Sequence, residues 1–333
     1  MIRYCATPAG RIAYSAQGTG PPLLCDAGWV THLRRQMDLF SFSSFVEGLA
    51  ERFTVIRYDK PGCGLSERDG ADLSFDAQVT ATLAVADAVG ARRFRLFGAS
   101  QGGQLAAAIA ARYPERVEAL VLFGTCASGN DLAPAEVRNS VVALVRAHWG
   151  LGSKVLTGIF LPEPSSEEVA ALSLAQRACA SAAVAAQLLE VYYETDIRSL
   201  LPAITAPTAV LHREADPAAG FMLGREIASL VPGAALIPLP GASHLFYHGR
   251  WREVLDAAVE ALDRPGDREP RLTARELEVA RLVADGLTNH AIATRLAVAP
   301  RTAEAHVENI RRKLQVHSRA QIAAWVTEYR LRP

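Results

Sequence analysis

Hydrophobic and polar positions follow two different rhythms along this chain. Over residues 1–262, short β-rich runs alternate with longer Ala-rich stretches of helical spacing. The pattern predicts strands at Leu23–Asp26, Thr54–Asp59, Phe94–Gly98, Ala119–Phe123, Ala209–His212 and Ala235–Leu239. The segments between them suit crossover helices, so the sheet is predicted to be mostly parallel. A hairpin of Ile2–Cys5 with Arg11–Ser15 opens the chain. Between Thr125 and Pro202 the strand rhythm stops and the pattern turns helical. An insertion there would roof the C-terminal edge of the sheet, where α/β folds hold their ligands.

The second rhythm begins after DRPGDREP, residues 263–270, whose prolines, glycine and mixed charges predict a linker. Four short helices follow, with a start signal at each join. Thr273-Ala-Arg-Glu276 is a capping box opening a helix with the apolar stripe Leu277, Ala280, Val283 and Ala284, ended by Gly286. Thr288 starts a second helix that turns Ile292 and Leu296 inward. Pro300 suits the first position of a third, which runs to about Gln315 and buries Val307, Ile310 and Leu314. Ser318-Arg-Ala-Gln321 is a second capping box, for the fourth helix. Ala293 and Ala297 are small enough to let two helices cross tightly. The expected organisation is an α/β domain over 1–262 with a helical cap at approximately 126–201, a linker, and an all-α domain over 271–333.

Composition narrows this further. With 333 residues, half of them hydrophobic, the chain is long enough for one large and one small core. It has no apolar run of membrane-spanning length, and its first residues lack the apolar core of a signal peptide. Five scattered cysteines (Cys5, Cys25, Cys63, Cys126, Cys179) lack metal-ligand spacing and read as reduced thiols of a cytoplasmic protein. No metal or cofactor is expected. The net charge is zero but unevenly spread: residues 268–333 hold 12 Arg+Lys against 7 Asp+Glu, leaving the remainder acidic. A basic tail on an acidic body fits a tail that meets phosphate, although such a surplus is also a common solvated surface.

The candidate chemistry lies at Gly98-Ala99-Ser100-Gln101-Gly102, a G-x-S-x-G between the strand run RFRLFG and the helix run QLAAAIAARY. A serine on a sharp strand-to-helix turn exposes its hydroxyl, and the helix N-terminus faces a developing oxyanion. An acid and a base follow on loops after later strands, Asp216 in HREADPAAG and His244 in GASHLF. His244 would take the serine proton and Asp216 would hold the imidazole. Glu214 and His248 are the competitors for these roles. The oxyanion donors are expected to be the backbone amides of Gln101 and Trp29.

The segments AGWVTHL, RYDKPGCGLSER, GASQGG, DIRSLLPAITAPTAVLHREADPA and LPGASH give residues 1–262 a resemblance to the α/β-hydrolase superfamily. Within it they resemble a subgroup fused to bacterial signalling modules, including cyclase-type ones, in which the domain serves as a sensor. Relatives usually carry His-Gly where this chain has Ala27-Gly28. Trp149, Phe160, Tyr192 and Tyr193 are candidates to line an apolar pocket under the cap; packing between cap and core is the competing reading for each.

RLTARELEVARLVADGLTNHAIATRLAVAPRTAEAHVENIRRKLQVHSRAQIAAWV resembles the LuxR-type helix-turn-helix of bacterial transcription regulators. That resemblance implies double-stranded DNA as a partner, with the third helix in the major groove. Glu304, Ala305 and Glu308 would face the bases, and Arg301, Thr302, Arg311, Arg312 and Lys313 would reach phosphates or bases. Relatives usually have serine at Ala299 and valine at Ala303. Two glutamates on the groove side repel phosphate but can accept from cytosine. In the family the fourth helix dimerises, which here points to Ile322, Trp325, Val326 and Tyr329; closing the domain's own small core is the competing reading. The chain therefore reads as a transcription regulator that senses a small, mainly apolar ligand. The alternatives are a working serine hydrolase (ester, lactone or amide) that also regulates, and an enzyme whose tail only tethers it to a partner protein.

Overall fold

The computed structural model describes residues 1–8, 10–263, 272, 274–314, 316 and 318–330. The chain forms two compact units, Met1–Leu262 and Asp263–Pro333.

In the first unit β1 (Ile2–Thr7) and β2 (Gly10–Gln17) form the opening hairpin. Strands and helices then alternate: β3 (Pro22–Asp26), α1 (Phe42–Ala50), β4 (Thr54–Tyr58), α2 (Phe75–Ala88), β5 (Phe94–Ala99), α3 (Gln101–Arg112) and β6 (Val117–Phe123). Four helices interrupt the alternation: α4 (Ala135–Ala147), α5 (Trp149–Phe160), α6 (Ser166–Cys179) and α7 (Ala182–Glu194). The alternation resumes with β7 (Thr208–Arg213), α8 (Phe221–Leu230), β8 (Ala235–Leu239) and α9 (Trp251–Leu262). The strands make one eight-stranded sheet in the order β1-β2-β4-β3-β5-β6-β7-β8. β2 is antiparallel to both of its neighbours and every pair from β3 onward is parallel.

Helices cover both faces of the sheet, so its central strands are buried on both sides and mainly apolar rather than alternating. β5 and β7 have every residue buried. Successive side chains still point to opposite faces. Leu24, Ile56, Leu96, Leu122 and Val210 meet α2, α3 and α8 on one side. Leu23, Val55, Phe97, Phe123 and Leu211 meet α1 and α9 on the other.

The helix after Ser100 lies unusually close to the sheet. A Cβ at Gly103 would fall 1.9 Å from Thr125 Oγ1, a buried neighbour with little room to give. Gly103→Ala is expected to cost about 1–3 kcal/mol by overpacking. Thermal melts should show the loss as a Tm lower by several degrees. Among the described residues no single helix is long and apolar enough to cross a membrane; the pair α6 and α7 reaches that length only together, across a 93° bend.

The second unit contains α10 (Ala274–Ala284), α11 (Asn289–Leu296), α12 (Pro300–Leu314) and α13 (Arg319–Arg330). Its core joins Val279, Ala280, Val283, Ile292, Ala293, Ala303, Val307, Ile310, Leu314, Ile322 and Val326. Thr288 caps α11 by accepting from Ala291 N. Ser318 and Gln321 exchange the two bonds of a capping box at α13, 3.2 and 3.0 Å. The capping box at Thr273, most of the linker, and Gln315 lie outside the described residues.

Two expectations need correction here. Ala293 is buried as a small crossing residue, but Ala297 is exposed. It closes α11 in the left-handed region at φ +52°, so its role is to turn the chain and not to pack. Ile322 and Val326 are sealed in the domain's own core and leave no side-chain surface for a second copy. Trp325 packs half-buried against the same core, and the side chain of Tyr329 lies outside the described residues.

Candidate active site and nucleic-acid interface

Ser100 occupies the single residue between β5 and α3, with φ +54° and ψ −123°. This is a costly conformation for a residue with a Cβ and is held only where the surroundings enforce it. Here they do: Ser100 N donates to Phe123 O at 2.8 Å. Glycines flank the turn because nothing larger fits. A Cβ on Gly98 would lie 2.5 Å from Gly102 O, and one on Gly102 would lie 2.5 Å from Asp26 Oδ1.

The loops after β7 and β8 bring Asp216 and His244 to this serine. His244 Nε2 lies 2.9 Å from Ser100 Oγ, and His244 Nδ1 lies 2.7 Å from Asp216 Oδ2. The other Asp216 oxygen accepts from the amides of Ala218 and Ala219, at 2.9 and 3.2 Å. Burial pushes the Asp216 carboxyl up. The His244 ring and the two amides outweigh that, so it stays below the ordinary aspartate value and ionised. An ionised Asp216 fixes the proton on Nδ1 and leaves Nε2 free to accept the serine hydroxyl. The arrangement can carry out proton relay and nucleophilic attack on an acyl group.

The competitors go elsewhere. Glu214 is exposed, whereas Asp216 is buried. His248 Nε2 lies 2.8 Å from Glu168 Oε1, on cap helix α6. The second oxygen of Glu168 accepts from Ser165 N, completing a capping box. The hydrogen bond from His248, together with the cap bonds, holds the Glu168 carboxyl down at about 2. A carboxyl held low stabilises the fold above its unfolded value near 4.5 and loses that contribution as pH falls toward 2. Glu168→Gln keeps a cap acceptor but removes the charge. Its Tm should fall by a degree or two at neutral pH, as for a half-exposed pair worth up to about 1 kcal/mol. The gap from wild type should narrow progressively as pH falls from 4.5 and close near 2.

Two apolar chambers meet at Ser100 and His244. The larger, about 230 Å³, is walled by Val141, Leu156, Ile159, Leu189, Tyr192 and Tyr193. The smaller, about 60 Å³, is walled by Leu39, Leu172, Phe246 and Tyr247. Trp29 and Phe160 border both. Of the expected pocket residues, Phe160, Tyr192 and Tyr193 line these chambers. Trp149 does not: its indole N–H donates to Ala180 O at 2.9 Å and its ring packs edge-on against Trp29, so it is a cap-to-core contact. Tyr192 does more than form wall. Its hydroxyl lies 3.3 Å from Ser100 Oγ and 3.7 Å from Cys126 Sγ, and burial raises it well above the usual phenol value. It is therefore a neutral hydrogen-bonding partner of the serine. No spacing in the sequence announces that contact, since 92 residues separate the pair.

The expected oxyanion residues flank the serine: Gln101 opens α3, where helix amides lack intrahelical acceptors, and Trp29 follows Gly28 on the loop after β3. Beneath them sits a buried polar cluster of Asp26, Tyr58, Lys60, Gln78 and Gln101. Sequence reasoning missed it. Among the described residues no group of three or more His, Cys, Asp or Glu side chains could hold a metal ion.

On the second unit, Arg301, Thr302, Glu304, Ala305 and Glu308 are all exposed on α12. Arg311 Nη1 lies 3.1 Å from Glu308 Oε2, so one acidic residue on this face is already neutralised. The side chains of Arg312 and Lys313 lie outside the described residues.

Residues 270–326 match the family model of bacterial regulatory proteins, luxR family, and residues 21–146 match that of the alpha/beta hydrolase fold. The chain is an α/β-hydrolase-fold domain fused to a LuxR-family regulatory domain. Over 266 residues it is 29% identical to a pimeloyl-[acyl-carrier protein] methyl ester esterase of Chromobacterium violaceum, covering 74% of this chain and 96% of the esterase. Over 79 residues it is 35% identical to the nitrate/nitrite response regulator protein NarL of Escherichia coli, covering 23% of this chain and 37% of that regulator. A hydrolase from Pseudomonas aeruginosa superposes with a TM-score of 0.69 at 24% identity, over 79% of this chain and 98% of that one, which shows the shared fold. The LuxR-family domain makes the chain a DNA-binding regulator, and the hydrolase-fold domain accounts for the remainder.

Proposed function

We propose that this regulator takes up a small, mainly apolar ligand at Ser100, and that occupancy of the hydrolase-fold domain alters DNA binding. The observation that carries this reading is the pair of apolar chambers converging on Ser100 and His244. A ligand shifts such a protein only by its difference in affinity for two arrangements. The active form is proposed to be a cytoplasmic homodimer that reads a two-fold operator, with Arg301, Thr302, Arg311, Arg312 and Lys313 on phosphates or bases and Glu304, Ala305 and Glu308 toward base edges.

A second reading, an ester hydrolase that also regulates transcription, is favoured by the hydrogen-bonded order Asp216–His244–Ser100. The resemblance to a methyl ester esterase supports an ester as the bond at stake.

The test is DNA affinity by fluorescence anisotropy over a salt series, with and without short-chain carboxylic esters. Counterion release predicts a log–log slope of about −0.9 per phosphate contacted. A salt-independent signal, or no DNA binding at all, would favour the tethering role instead. An ester that changes affinity in wild type and also in Ser100→Ala supports ligand sensing. A change lost in Ser100→Ala supports the hydrolytic reading.

A further inference from the structure

We infer that the buried Asp26–Lys60 pair is a positioning device for the serine site, holding the loop after β3 and the first turn of α3 at a fixed separation. The inference rests on the second, hydrolytic reading proposed above, with Ser100 as nucleophile and the amides of Trp29 and Gln101 as the expected oxyanion donors.

Asp26 closes β3 with its side chain buried. One carboxylate oxygen accepts from Tyr58 OH at 2.6 Å and sits 3.2 Å from Lys60 Nζ. The other accepts from Gly28 N at 3.3 Å, directly before Trp29. Lys60 is wholly buried and donates its second bond to Gln101 Oε1. The Gln101 amide group continues to Gln78 Oε1 at 3.1 Å, and Gln78 Nε2 ends the chain on Leu73 O at 2.9 Å. Each expected oxyanion donor is thus one residue or one hydrogen bond from the same charge pair. The carboxylate also lies close to the first turn of α3, leaving no room for a Cβ on Gly102.

A pair of this kind gives little stability over apolar residues of equal volume, because both charges are desolvated. Its bonds do, however, fix two separate backbone segments in space. Oxyanion donors act only at the right distance, and a displacement of about 1 Å can reduce a rate about a hundredfold.

The experiment compares the full-length chain with Lys60→Met, Asp26→Asn and the double variant. Two quantities are read: p-nitrophenyl ester turnover per site titrated by the initial burst, and affinity for an arylboronic acid. In the boronate adduct the Ser100 Oγ lone pair forms the boron–oxygen bond, and the hydroxyl proton passes to His244 Nε2. No bond of the boronic acid breaks.

Lys60→Met should lower kcat per titrated site by roughly ten- to a hundredfold with KM little changed, and weaken boronate binding in parallel. The double variant, in which no charge is left unpaired, should recover Tm without recovering kcat. If Lys60→Met does not fold, the double variant and Asp26→Asn carry the same comparison. Fewer titratable sites with wild-type turnover at each would show a merely structural pair and overturn the inference. So would boronate affinity equal to wild type in every folded variant. A wild-type protein that forms no boronate adduct would overturn both the inference and the reading beneath it.

Discussion

Ser100→Ala should leave purified protein with at most about one-thousandth of its wild-type turnover of a short p-nitrophenyl ester. The substitution removes one oxygen and nothing else. That oxygen is the atom 2.9 Å from His244 Nε2, and among the described residues Ser100 is the one hydroxyl side chain that lines both chambers. The backbone strain at φ +54° is the same for alanine as for serine, so Tm should change little. His244→Ala should match Ser100→Ala in effect. The double variant should lose scarcely more than either alone, because residues acting as one relay are not additive. Turnover that survives Ser100→Ala would place the nucleophile elsewhere and remove the hydrolytic reading. The measurement is the rate of p-nitrophenolate release at matched protein concentration, with circular dichroism as the check on folding.

Ile310→Asp should abolish DNA binding while sparing ester turnover. Ile310 is completely buried on α12, in a core of small and aliphatic side chains from all four helices. A carboxylate there has no partner and carries a desolvation cost of several kcal/mol. A domain of this size holds only about 3–5 kcal/mol in reserve, so one such substitution unfolds it. The hydrolase-fold unit has its own cores on both faces of the sheet and does not draw on Ile310. Anisotropy with operator-length DNA and ester hydrolysis on the same preparation decide the matter. Loss of both activities would mean that neither unit folds without the other.

Much of the fold was legible because its signals are local. Strand positions came within a residue or two wherever an apolar β-rich run met a glycine or a charge, as at Pro22–Asp26 and Ala235–Leu239. The Ser318 capping box was readable from two residues three apart. The order Ser100, Asp216, His244 was readable because each follows a strand, and a parallel sheet brings strand ends to one edge.

What escaped depends on side-chain partners far apart in sequence. Lys60 meets Asp26 only because β4 lies beside β3 in the sheet. His248 finds Glu168 across 80 residues, and Tyr192 finds Ser100 across 92. Trp149 and Ala297 were misjudged for another reason: composition marks an aromatic as pocket-like and an alanine as packable. The indole bond to Ala180 and the left-handed turn at the end of α11 are tertiary facts.

The His244 amide donates to Phe160 O at 2.8 Å, and its ring stacks on the Phe160 ring. Phe160 closes cap helix α5, so the proton acceptor is moored to the roof and not to the sheet alone. A guest small enough to lie beneath the roof leaves the imidazole aligned with the serine. A guest bulky enough to raise α5 would draw the imidazole away with it, because the His244 amide is bonded to Phe160. Under the proposed reading, the same pocket would sort molecules by girth into those aligned for attack and those merely held.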